Sequence, residues 1–424
     1  MNKLLLNINF IKKVKNFFFA FYKSKEIKKI FDILEKNQPK DKKIVMFVGG
    51  CVRNFILNQK IDDIDIATIF TPQEIKKKFE NTEIKTIDTG IEHGSITIVL
   101  NKSKFEITTL RKDIKTDGRH AEIIYTDDWK EDSSRRDFTF NAIYLDRKGN
   151  FFDPQNGIYD LKNKKIKFIG DPSERITEDY LRIIRFVRFA LKYSDDDLEK
   201  LTIEKIKLKL DGIKNLSKER VLSELSKIIK LSNFNDILLK PQLLNIFKII
   251  FPEMKYIERL KKNDIIKKLK LPLNFEDILA ILLVDESSNH EYFCHKYKAS
   301  NQLKNILNSY SNVFNSYKKD KYYLNKNLMK NAYFSGKDKL KKHIIFLFLA
   351  SDKSSLSELT KTISAVEKIK IPKFPYSGKY LINIGFTEGE KLGETLDLLE
   401  KEWVKNNCYL TEKKVSDIVS RKKN

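Results

Sequence analysis

The chain has 424 residues, enough for roughly two to four domains, and 41% of them are hydrophobic, which excludes a disordered protein. With 82 lysines and arginines against 58 acidic residues the net charge is +24. This excess predicts a polyanionic partner, which could be RNA, DNA or an anionic membrane. The alternative is that the lysine-rich composition only reflects a mutational bias of the genome. Cys51, Cys294 and Cys408 form no CxxC pair, so we expect no disulfide framework, no zinc site and a cytoplasmic location.

The first 40 residues are predicted to be an N-terminal helical segment. The apolar runs in MNKLLLNINFIKKVKNFFFAFYK are broken by lysines well short of the roughly 18 residues that a membrane span needs. No small-residue cleavage site follows an apolar core, so we predict no signal peptide. An amphipathic helix that packs on its own protein is expected, with a helix on a membrane surface as the alternative.

Short β-type runs separated by turn residues follow, and they predict a small sheet. The runs are KIVMFVGG, IDIATIF, SITIVL, KFEITTL, FNAIYLD and KKIKFIG. Between the second and third runs, Pro72 and Glu74 follow Thr71 in the pattern of a capping box, which predicts the start of a helix. After Asp171 the apolar residues recur at spacings of three and four to the end of the chain, so this half is predicted to be helical.

Gly49 and Gly50 stand between a strand that ends at Val48 and a helix expected to begin near Cys51. Such a turn offers free backbone N–H groups to a triphosphate. Arg53, one turn into the helix, is placed to reach the same phosphates. A Gly-Gly pair before a helix is more often an ordinary turn without a ligand, so the prediction of a triphosphate site depends on the residues that follow.

Acidic residues follow this turn in the run IDDIDIAT. Because side chains alternate along a strand, Asp63 and Asp65 are expected on one face and Asp62 on the other. Two carboxylates on one face repel each other unless a cation lies between them, and Mg²⁺ prefers such oxygen ligands. Glu106 in KFEITTL is the candidate third carboxylate, with an ordinary solvent-facing glutamate as the alternative. Three carboxylates on neighbouring strands would hold two metal ions for phosphoryl transfer.

Arginines beside aspartates occur in two further segments. In EDSSRRDFTFNA, Arg136 can bind phosphate as a bidentate fork, with Asp137 holding it in place, and a charged surface cluster is the alternative. In ITEDYLRIIRFVRFA, polar residues recur every three positions and would form a slanting stripe on a helix. The members of this stripe are Asp179, Arg182, Arg185 and Arg188.

Asp179 and Arg182, held side by side, would imitate the edge of a base. The carboxylate accepts from an exocyclic amino group while the guanidinium donates to the adjacent ring acceptor, and both cytosine and adenine present this pair. Uracil and guanine would set two acceptors face to face, a buried mismatch that costs roughly 1–3 kcal/mol. The pair therefore predicts selection of CTP and ATP, with a plain i,i+3 ion pair as the alternative.

Together these segments resemble the class II tRNA nucleotidyltransferase and bacterial poly(A) polymerase family, most closely its CCA-adding members. Five motifs occur in the order of the family: GGCVRN with DIDIA, RRDFTFNA, DPQNGIYDL, EDYLRIIR and KERVLSEL, the last with Arg220 and Glu224. The resemblance implies that Asp63 and Asp65 bind Mg²⁺ and act in catalysis, and the strand pattern adds Glu106 as the candidate third catalytic carboxylate. The residues that it implies for nucleotide binding are Gly49, Gly50, Arg53, Arg136, Asp179, Arg182, Arg185 and Arg188.

The resemblance and the sequence pattern agree on an α+β fold. It has an N-terminal nucleotidyltransferase head with a small mixed β-sheet flanked by helices, followed by an all-α neck, body and tail. The expected divisions are an N-terminal helical segment (1–40), the catalytic head (41–170), a neck with the nucleotide-selecting motif (171–240) and a tRNA-binding body and tail (241–424). Asn54 stands where the family usually has Asp, and Asn58 where it usually has Gly, although Asn tolerates left-handed geometry.

Three activities compete within this family. GIEHGSITIVL resembles the corresponding strand of CCA-adding enzymes, and RKDIKTDGRHAEI, with Arg111, Lys115 and Arg119, resembles a flexible basic loop that enzymes adding only two cytidines lack. The resemblance therefore implies template-independent addition of CCA to tRNA from CTP and ATP, with Mg²⁺ as the cofactor and no membrane or protein partner. The alternatives are a poly(A) polymerase, a CC-only or A-only enzyme, and a non-catalytic RNA-binding protein.

Overall fold

The computed structural model describes residues 21–116, 121–195, 198–262, 272–326, 328–351 and 355–423. The chain divides into two compact units, Met1–Ile250 and Phe251–Asn424. Every strand in the described residues belongs to the first unit, and helices follow to the end of the chain. The predicted α+β class is therefore confirmed, whereas the division into four parts stays a prediction.

A mixed sheet forms the centre of the first unit. The described strands are β1 (Val45–Val48), β2 (Asp65–Thr68), β3 (Lys85–Gly90), β4 (Ser95–Leu100), β5 (Ser103–Thr109), β6 (Arg111–Thr116), β7 (Ala121–Tyr125), β8 (Tyr144–Leu145) and β9 (Phe151–Phe152). Seven of them form one sheet in the order β3-β4-β5-β2-β1-β8-β9, while β6 and β7 form a separate hairpin. Among the described strands only β2 and β5 pair in parallel, and their register sets Asp65 opposite Glu106.

The sheet follows the sequence prediction in its centre and departs from it at the edges. The runs that contain β1, β2, β4 and β5 form strands as predicted. FNAIYLD pairs only over Tyr144–Leu145, because a 3₁₀ turn occupies Thr139–Asn141. KKIKFIG, predicted as a strand, forms only a single bridge between Phe168 and Phe138. The sequence missed β3, which is largely exposed and has little apolar alternation.

The helices of the first unit cover this sheet and extend beyond it. They are α1 (Lys25–Glu35), α2 (Gly50–Ile56), α3 (Pro72–Phe79), α4 (Trp129–Ser134), α5 (Gly157–Lys162), α6 (Pro172–Glu178), α7 (Leu181–Tyr193), α8 (Lys200–Lys209), α9 (Lys218–Ile229) and α10 (Pro241–Ile250). α3 begins after Thr71 with the predicted capping box to Glu74. In α1 the buried Phe31 stacks on Phe47 of β1 with ring centroids 4.7 Å apart, so this helix packs on the sheet. The amphipathic helix expected in the N-terminal apolar runs falls on residues 1–20, which lie outside the described residues, and stays a prediction.

Two helices of this unit carry the residues that the sequence singled out. α7 buries one face completely, including Ile183 and Val187, and leaves its arginines on the opposite face. α9 begins after the N-cap Ser217 and packs against α7. The turn that ends α2 has Asn58 at φ 52°, the left-handed geometry for which the family usually has Gly, so this departure is tolerated.

The second unit is helical throughout its described residues. Its helices are α11 (Phe275–Leu283), α12 (Asn289–Lys296), α13 (Asn301–Lys319), α14 (Tyr323–Lys326), α15 (Leu328–Ser335), α16 (Lys337–Ala350), α17 (Leu356–Lys368), α18 (Gly378–Asn383), α19 (Glu390–Lys405) and α20 (Glu412–Lys423). One apolar cluster forms around Leu381, Leu399 and Trp403. In the described part of the chain, no helix is long and apolar enough to span a membrane.

Candidate active site

A cavity of about 570 Å³ lies in the first unit, at the start of β2 and alongside α7. Its walls carry eight arginines and five carboxylates, and this excess of positive charge suits a polyphosphate ligand. The charged lining residues are Arg53, Arg111, Arg135, Arg136, Arg182, Arg185, Arg188 and Arg220, with Asp65, Asp113, Asp137, Glu178 and Asp179. Gly49 and Gly50 also line it, whereas Asp63 and Glu106 do not.

The glycine turn forms one wall of the cavity. Gly49 has φ +74° and ψ −130°, a conformation that side chains rarely adopt, and α2 begins at the next residue. A Cβ atom on Gly49 would lie 3.4 Å from Oδ2 of Asp65. The turn therefore brings the bare backbone of Gly49 up to the carboxylate at the start of β2.

The carboxylates meet at the start of β2, with one departure from the prediction. Asp65 is the first residue of β2 and faces Glu106 on β5, whereas Asp63 precedes the strand and is exposed, so the prediction that both carboxylates lie within the strand is wrong. Burial and the negative charges of Glu106 and Asp63 raise the pKa of Asp65 to about 6, against the opposing effect of Arg136 and Arg53. The repulsion between these carboxylates is thus incompletely balanced by the protein.

Arg53 is held rigidly at the base of the cavity. Its Nε donates to the hydroxyl of Tyr193 at 3.0 Å, and its Nη1 donates to Oδ1 of Asn141. The guanidinium carbon lies 5.2 Å from the centre of the Phe189 ring. Only 8% of Arg53 is exposed, so its charge is directed at the cavity and not at bulk solvent.

Arg136 is held by a different carboxylate from the one predicted. Its Nε and Nη2 donate to Oδ2 of Asp132 at 3.1 and 2.9 Å. Asp137 instead accepts from Nε of Arg185 at 2.7 Å and from Nδ2 of Asn141 at 2.8 Å. Burial opposes ionisation of Asp137, but Arg185 and Asn141 outweigh it and hold the pKa of Asp137 at about 2. The expected Asp137–Arg136 pair is therefore replaced by two separate pairs.

The proposed base-reading pair lies at the start of α7. Asp179 has an extended backbone before the helix, which corrects its predicted place on the helical stripe. Its Oδ1 accepts from the N–H of Leu181 at 3.1 Å, and its Oδ2 accepts from Nη2 of Arg220 at 2.7 Å. Nη1 of Arg182 donates to Glu178 at 2.5 Å. Because each group is fixed by another partner, the simple Asp179–Arg182 ion pair does not form.

Arg185 and Arg188 continue along the polar face of α7, as predicted. Nε of Arg188 donates at 2.8 Å to Oε2 of Glu224, a residue of α9 that is 2% exposed. Burial opposes ionisation of Glu224, but Arg188 and Lys227 lower its pKa. The fifth sequence motif thus contacts the fourth through Glu224 as well as through Arg220.

The basic segment after Glu106 begins as a hairpin and not as a loop. Arg111 starts β6, donates to the carbonyl of His93 and lies 3.3 Å from Oδ1 of Asp113. Lys115 lies on β6 opposite Glu122 of β7. Arg119 lies outside the described residues, and the flexibility of the segment stays a prediction.

Some residues of the site were not found from the sequence. Asp132 stands three and four residues before the two arginines it binds, a spacing that could have revealed it. Glu178 precedes Asp179 and is an i,i+4 partner of Arg182. No spacing in the sequence indicates Tyr193, because its contact with Arg53 spans 140 residues and forms only in the folded chain.

Two family models match the chain. The one described as "Poly A polymerase head domain" covers residues 45–167, which include the sheet and the glycine turn. The one described as "Probable RNA and SrmB- binding site of polymerase A" covers residues 197–258.

Curated relatives and solved structures agree with these models. The human mitochondrial CCA tRNA nucleotidyltransferase 1 is 33% identical over 86% of this chain and 83% of its own length. The CCA-adding enzyme of Staphylococcus haemolyticus is 37% identical over 63% of this chain and 64% of its own length. The Bacillus stearothermophilus CCA-adding enzyme, solved in complex with CTP, shares the fold with a TM-score of 0.67 and 23% identity over 89% of this chain and 93% of its own. The chain therefore belongs to the family of CCA tRNA nucleotidyltransferases, which are nucleotidyltransferase enzymes.

Proposed function

We propose that the protein adds CCA to the 3′ end of tRNA from CTP and ATP, without a nucleic-acid template and with release of pyrophosphate. The observation that carries this proposal is the single cavity that gathers the glycine turn, the Asp65 carboxylate, eight arginines and the Asp179–Arg182 pair. The names of the human and staphylococcal relatives support tRNA as the acceptor, and the CTP bound by the Bacillus enzyme supports the nucleotide.

Mg²⁺ fits the carboxylate end of this cavity. Nucleotidyltransferases generally use divalent metal ions, and the raised pKa of Asp65 reports negative charge that a cation would neutralise. No group of three candidate ligands is gathered among the described residues, so Asp63 and Asp65 would share the ion with phosphate oxygens, as Mg²⁺ commonly requires. Glu106 is the third catalytic carboxylate beside them. The bound ion would lower the pKa of the attacking hydroxyl and neutralise charge on the phosphates.

The arginines bind and orient the nucleotide. Arg53 and Arg136 direct their guanidinium groups into the cavity next to Gly49 and Gly50, where the triphosphate lies with its α-phosphate towards Asp65. Fixed donors of this kind stabilise the charge that develops on phosphate oxygens and require no reorganisation during the reaction. Arg185 and Arg188 bind the same nucleotide from α7. Asp137 holds Nε and Nη2 of Arg185, and Glu224 holds Nε of Arg188, so both side chains are fixed where they line the cavity.

Asp179 and Arg182 select the base. Asp179 accepts from the exocyclic amino group of cytosine or adenine, and Arg182 donates to the neighbouring ring nitrogen. Arg220 and Glu178 fix these two side chains, so they cannot rotate to accommodate uracil or guanine without breaking ion pairs. The protein thus replaces the template base.

The RNA is held outside this cavity by charge and shape. The net charge of +24 suits contacts with the phosphate backbone that do not read sequence. Arg111 places further positive charge at the start of the β6–β7 hairpin, and the sequence adds Lys115 and Arg119 to the same segment. The three free thiols fit the reducing cytoplasm, which is the compartment we propose.

The test is extension of a tRNA transcript that lacks CCA, in the presence of Mg²⁺. CTP alone, ATP alone and both nucleotides together are supplied, and products are resolved at single-nucleotide length. We expect two additions with CTP and a third when ATP is present. Asp65→Asn should abolish extension, whereas Asp62→Asn, whose carboxylate is exposed and paired with Lys60, should not.

Each alternative gives a different product. Two additions that never become three indicate a CC-only enzyme, and a single A added only to a transcript ending in CC indicates an A-only enzyme. A long ladder with ATP alone indicates a poly(A) polymerase. If the folded protein binds tRNA tightly but extends nothing, the enzymatic proposal is wrong and the RNA-binding alternative remains.

A further inference from the structure

Asp132 is a fully buried carboxylate beside the cavity, and no role was assigned to it above beyond its contact with Arg136. It lies on the short helix α4 and is 0% exposed. A buried carboxylate is costly unless its oxygens are satisfied by donors. Both oxygens of Asp132 accept more than one hydrogen bond, and all but one of the donor residues line the cavity.

The two oxygens of Asp132 divide these donors between them. Oδ2 accepts from Nε and Nη2 of Arg136 and from the hydroxyl of Tyr144, the latter at 2.7 Å. Oδ1 accepts from Nε of Arg135 at 2.8 Å and from the backbone N–H of Arg111 at 3.3 Å. One carboxylate therefore fixes three parts of the cavity wall: two guanidinium groups and the first residue of the β6–β7 hairpin.

The pKa of Asp132 indicates that its carboxylate is ionised and forms ion pairs with both arginines. Burial opposes ionisation of Asp132, but Arg136 and Arg135 outweigh it and hold the pKa of Asp132 well below its usual range. Asp132 uses only the Nε and Nη2 donors of Arg136. Within the described residues Nη1 of Arg136 has no hydrogen-bond partner, so one edge of this guanidinium is free for a ligand in the cavity.

We propose that Asp132 is a positioning residue that orients Arg135 and Arg136 towards the phosphates of the nucleotide. The proposal rests on the proposed function for the identity of the ligand. It differs from a purely structural role in one respect: Asp132 should matter for CTP and much less for CMP, because the groups that it orients contact phosphate and CMP carries one phosphate where CTP carries three.

Asp132→Asn tests this directly, since the substitution keeps the shape of the side chain and removes its charge. The dissociation constants of CTP and of CMP are measured by calorimetric titration of the full chain without tRNA. We expect CTP binding to weaken by roughly tenfold or more, the loss of one charge-assisted hydrogen bond, and CMP binding to change much less. Equal weakening of both nucleotides, or unchanged CTP binding, overturns the proposal.

Asp277→Asn is the matched control. Asp277 is also buried (4% exposed), accepts from the hydroxyl of Tyr310 at 2.6 Å and pairs with Lys342 at 2.7 Å, but it belongs to the second unit and does not line the cavity. This variant should lose stability and retain wild-type CTP affinity. If Asp277→Asn also lost CTP affinity, global destabilisation would explain the loss in Asp132→Asn, and the proposal would be wrong.

Tyr144→Phe serves if Asp132→Asn does not fold. It removes one hydrogen bond to Oδ2 of Asp132 and retains the ring and every charge. CTP binding should weaken by about threefold, with CMP again little affected, and an unchanged CTP:CMP affinity ratio overturns the proposal. Because CTP binding is measured without tRNA, a wild-type protein that binds CTP but adds no CCA would contradict the proposed function and leave the role of Asp132 standing.

Discussion

Arg220 on α9 donates a 2.7 Å hydrogen bond to Asp179, the carboxylate that precedes α7, across 41 residues of sequence. This contact joins the fifth sequence motif to the fourth. It fixes the orientation of the group that we propose to read the amino group of the base. If Asp179 reads the base as proposed, nucleotide selection should therefore depend on α9 as well as on α7.

Arg220→Ala should relax base selection. Without this charge-assisted hydrogen bond, which contributes roughly 1.5–3 kcal/mol, the Asp179 carboxylate can rotate and tolerate uracil. We expect the ratio of kcat/KM for CTP over UTP to fall by about tenfold on a tRNA lacking CCA. Lys218→Ala removes the same charge from the same helix and should leave the ratio unchanged. Equal ratios in Arg220→Ala and wild type would contradict the proposed role of Arg220.

Gly49→Ala should be far more harmful than its size suggests. The new side chain strains the backbone at φ +74° by roughly 1–3 kcal/mol, and its Cβ would lie 3.4 Å from Oδ2 of Asp65. A Cβ at this distance is in ordinary van der Waals contact with the carboxylate, so it is relaxation of the backbone strain that would move the turn and the adjoining Asp65. Such a displacement should lower the rate of CTP incorporation by about 100-fold.

Gly336→Ala is the control for strain alone. Gly336 has φ +78° and belongs to the second unit, and a Cβ there would meet nothing within 4 Å. Thermal melts should show a similar loss of stability in both variants, while incorporation of CTP falls only in Gly49→Ala. Similar activities in the two variants would mean that the Gly49 turn does not position Asp65.

Mg²⁺ should stabilise the folded protein even without substrates. The raised pKa of Asp65 shows that its charge is poorly compensated, and a bound cation would relieve the repulsion from Glu106 and Asp63. At ten times its dissociation constant the ion contributes about 1.4 kcal/mol, which raises Tm by roughly 3 °C in a unit of this size. Asp65→Asn should abolish this rise and Asp62→Asn should retain it. An equal rise in all three proteins would place the ion elsewhere.

His343 should make stability depend on pH. Burial and the charge of Lys339 lower its pKa to about 4, below the unfolded value near 6.5. The unfolded chain therefore binds a proton first as the pH falls. Stability contributed by neutral His343 is complete above pH 6.5 and is lost progressively between 6.5 and 4. From pH 7 to pH 5 the loss should be about 2 kcal/mol.

Urea unfolding of wild type and His343→Gln at both pH values measures this loss. On going from pH 7 to pH 5, the free energy of unfolding of the variant should rise by about 2 kcal/mol relative to that of wild type, because the variant has no group to titrate at this position. His295→Gln, at an exposed position of α12, should follow wild type at both pH values. A constant difference between wild type and His343→Gln would contradict the prediction.

Local patterns predicted the parts of the site that depend on neighbouring residues. The turn at Gly49 and Gly50, the helix after Thr71 and the polar face of α7 all follow from spacings within one turn or one strand. The pairings were harder to predict. Arg136 was assigned to the adjacent Asp137, but the short helix α4 brings Asp132 to it first. Asp63 was placed on β2, which begins two residues later.

The sequence by itself determined the residue types and their order: the glycine turn, the carboxylates, the arginine-rich segments and the change from strands to helices. These depend on backbone conformation and side-chain periodicity, which are local. Only the tertiary structure decided the partners, such as Asp65 opposite Glu106 and Arg53 against Tyr193. Such contacts join residues far apart in the chain, and their energies depend on burial and on every nearby charge, which no local pattern contains.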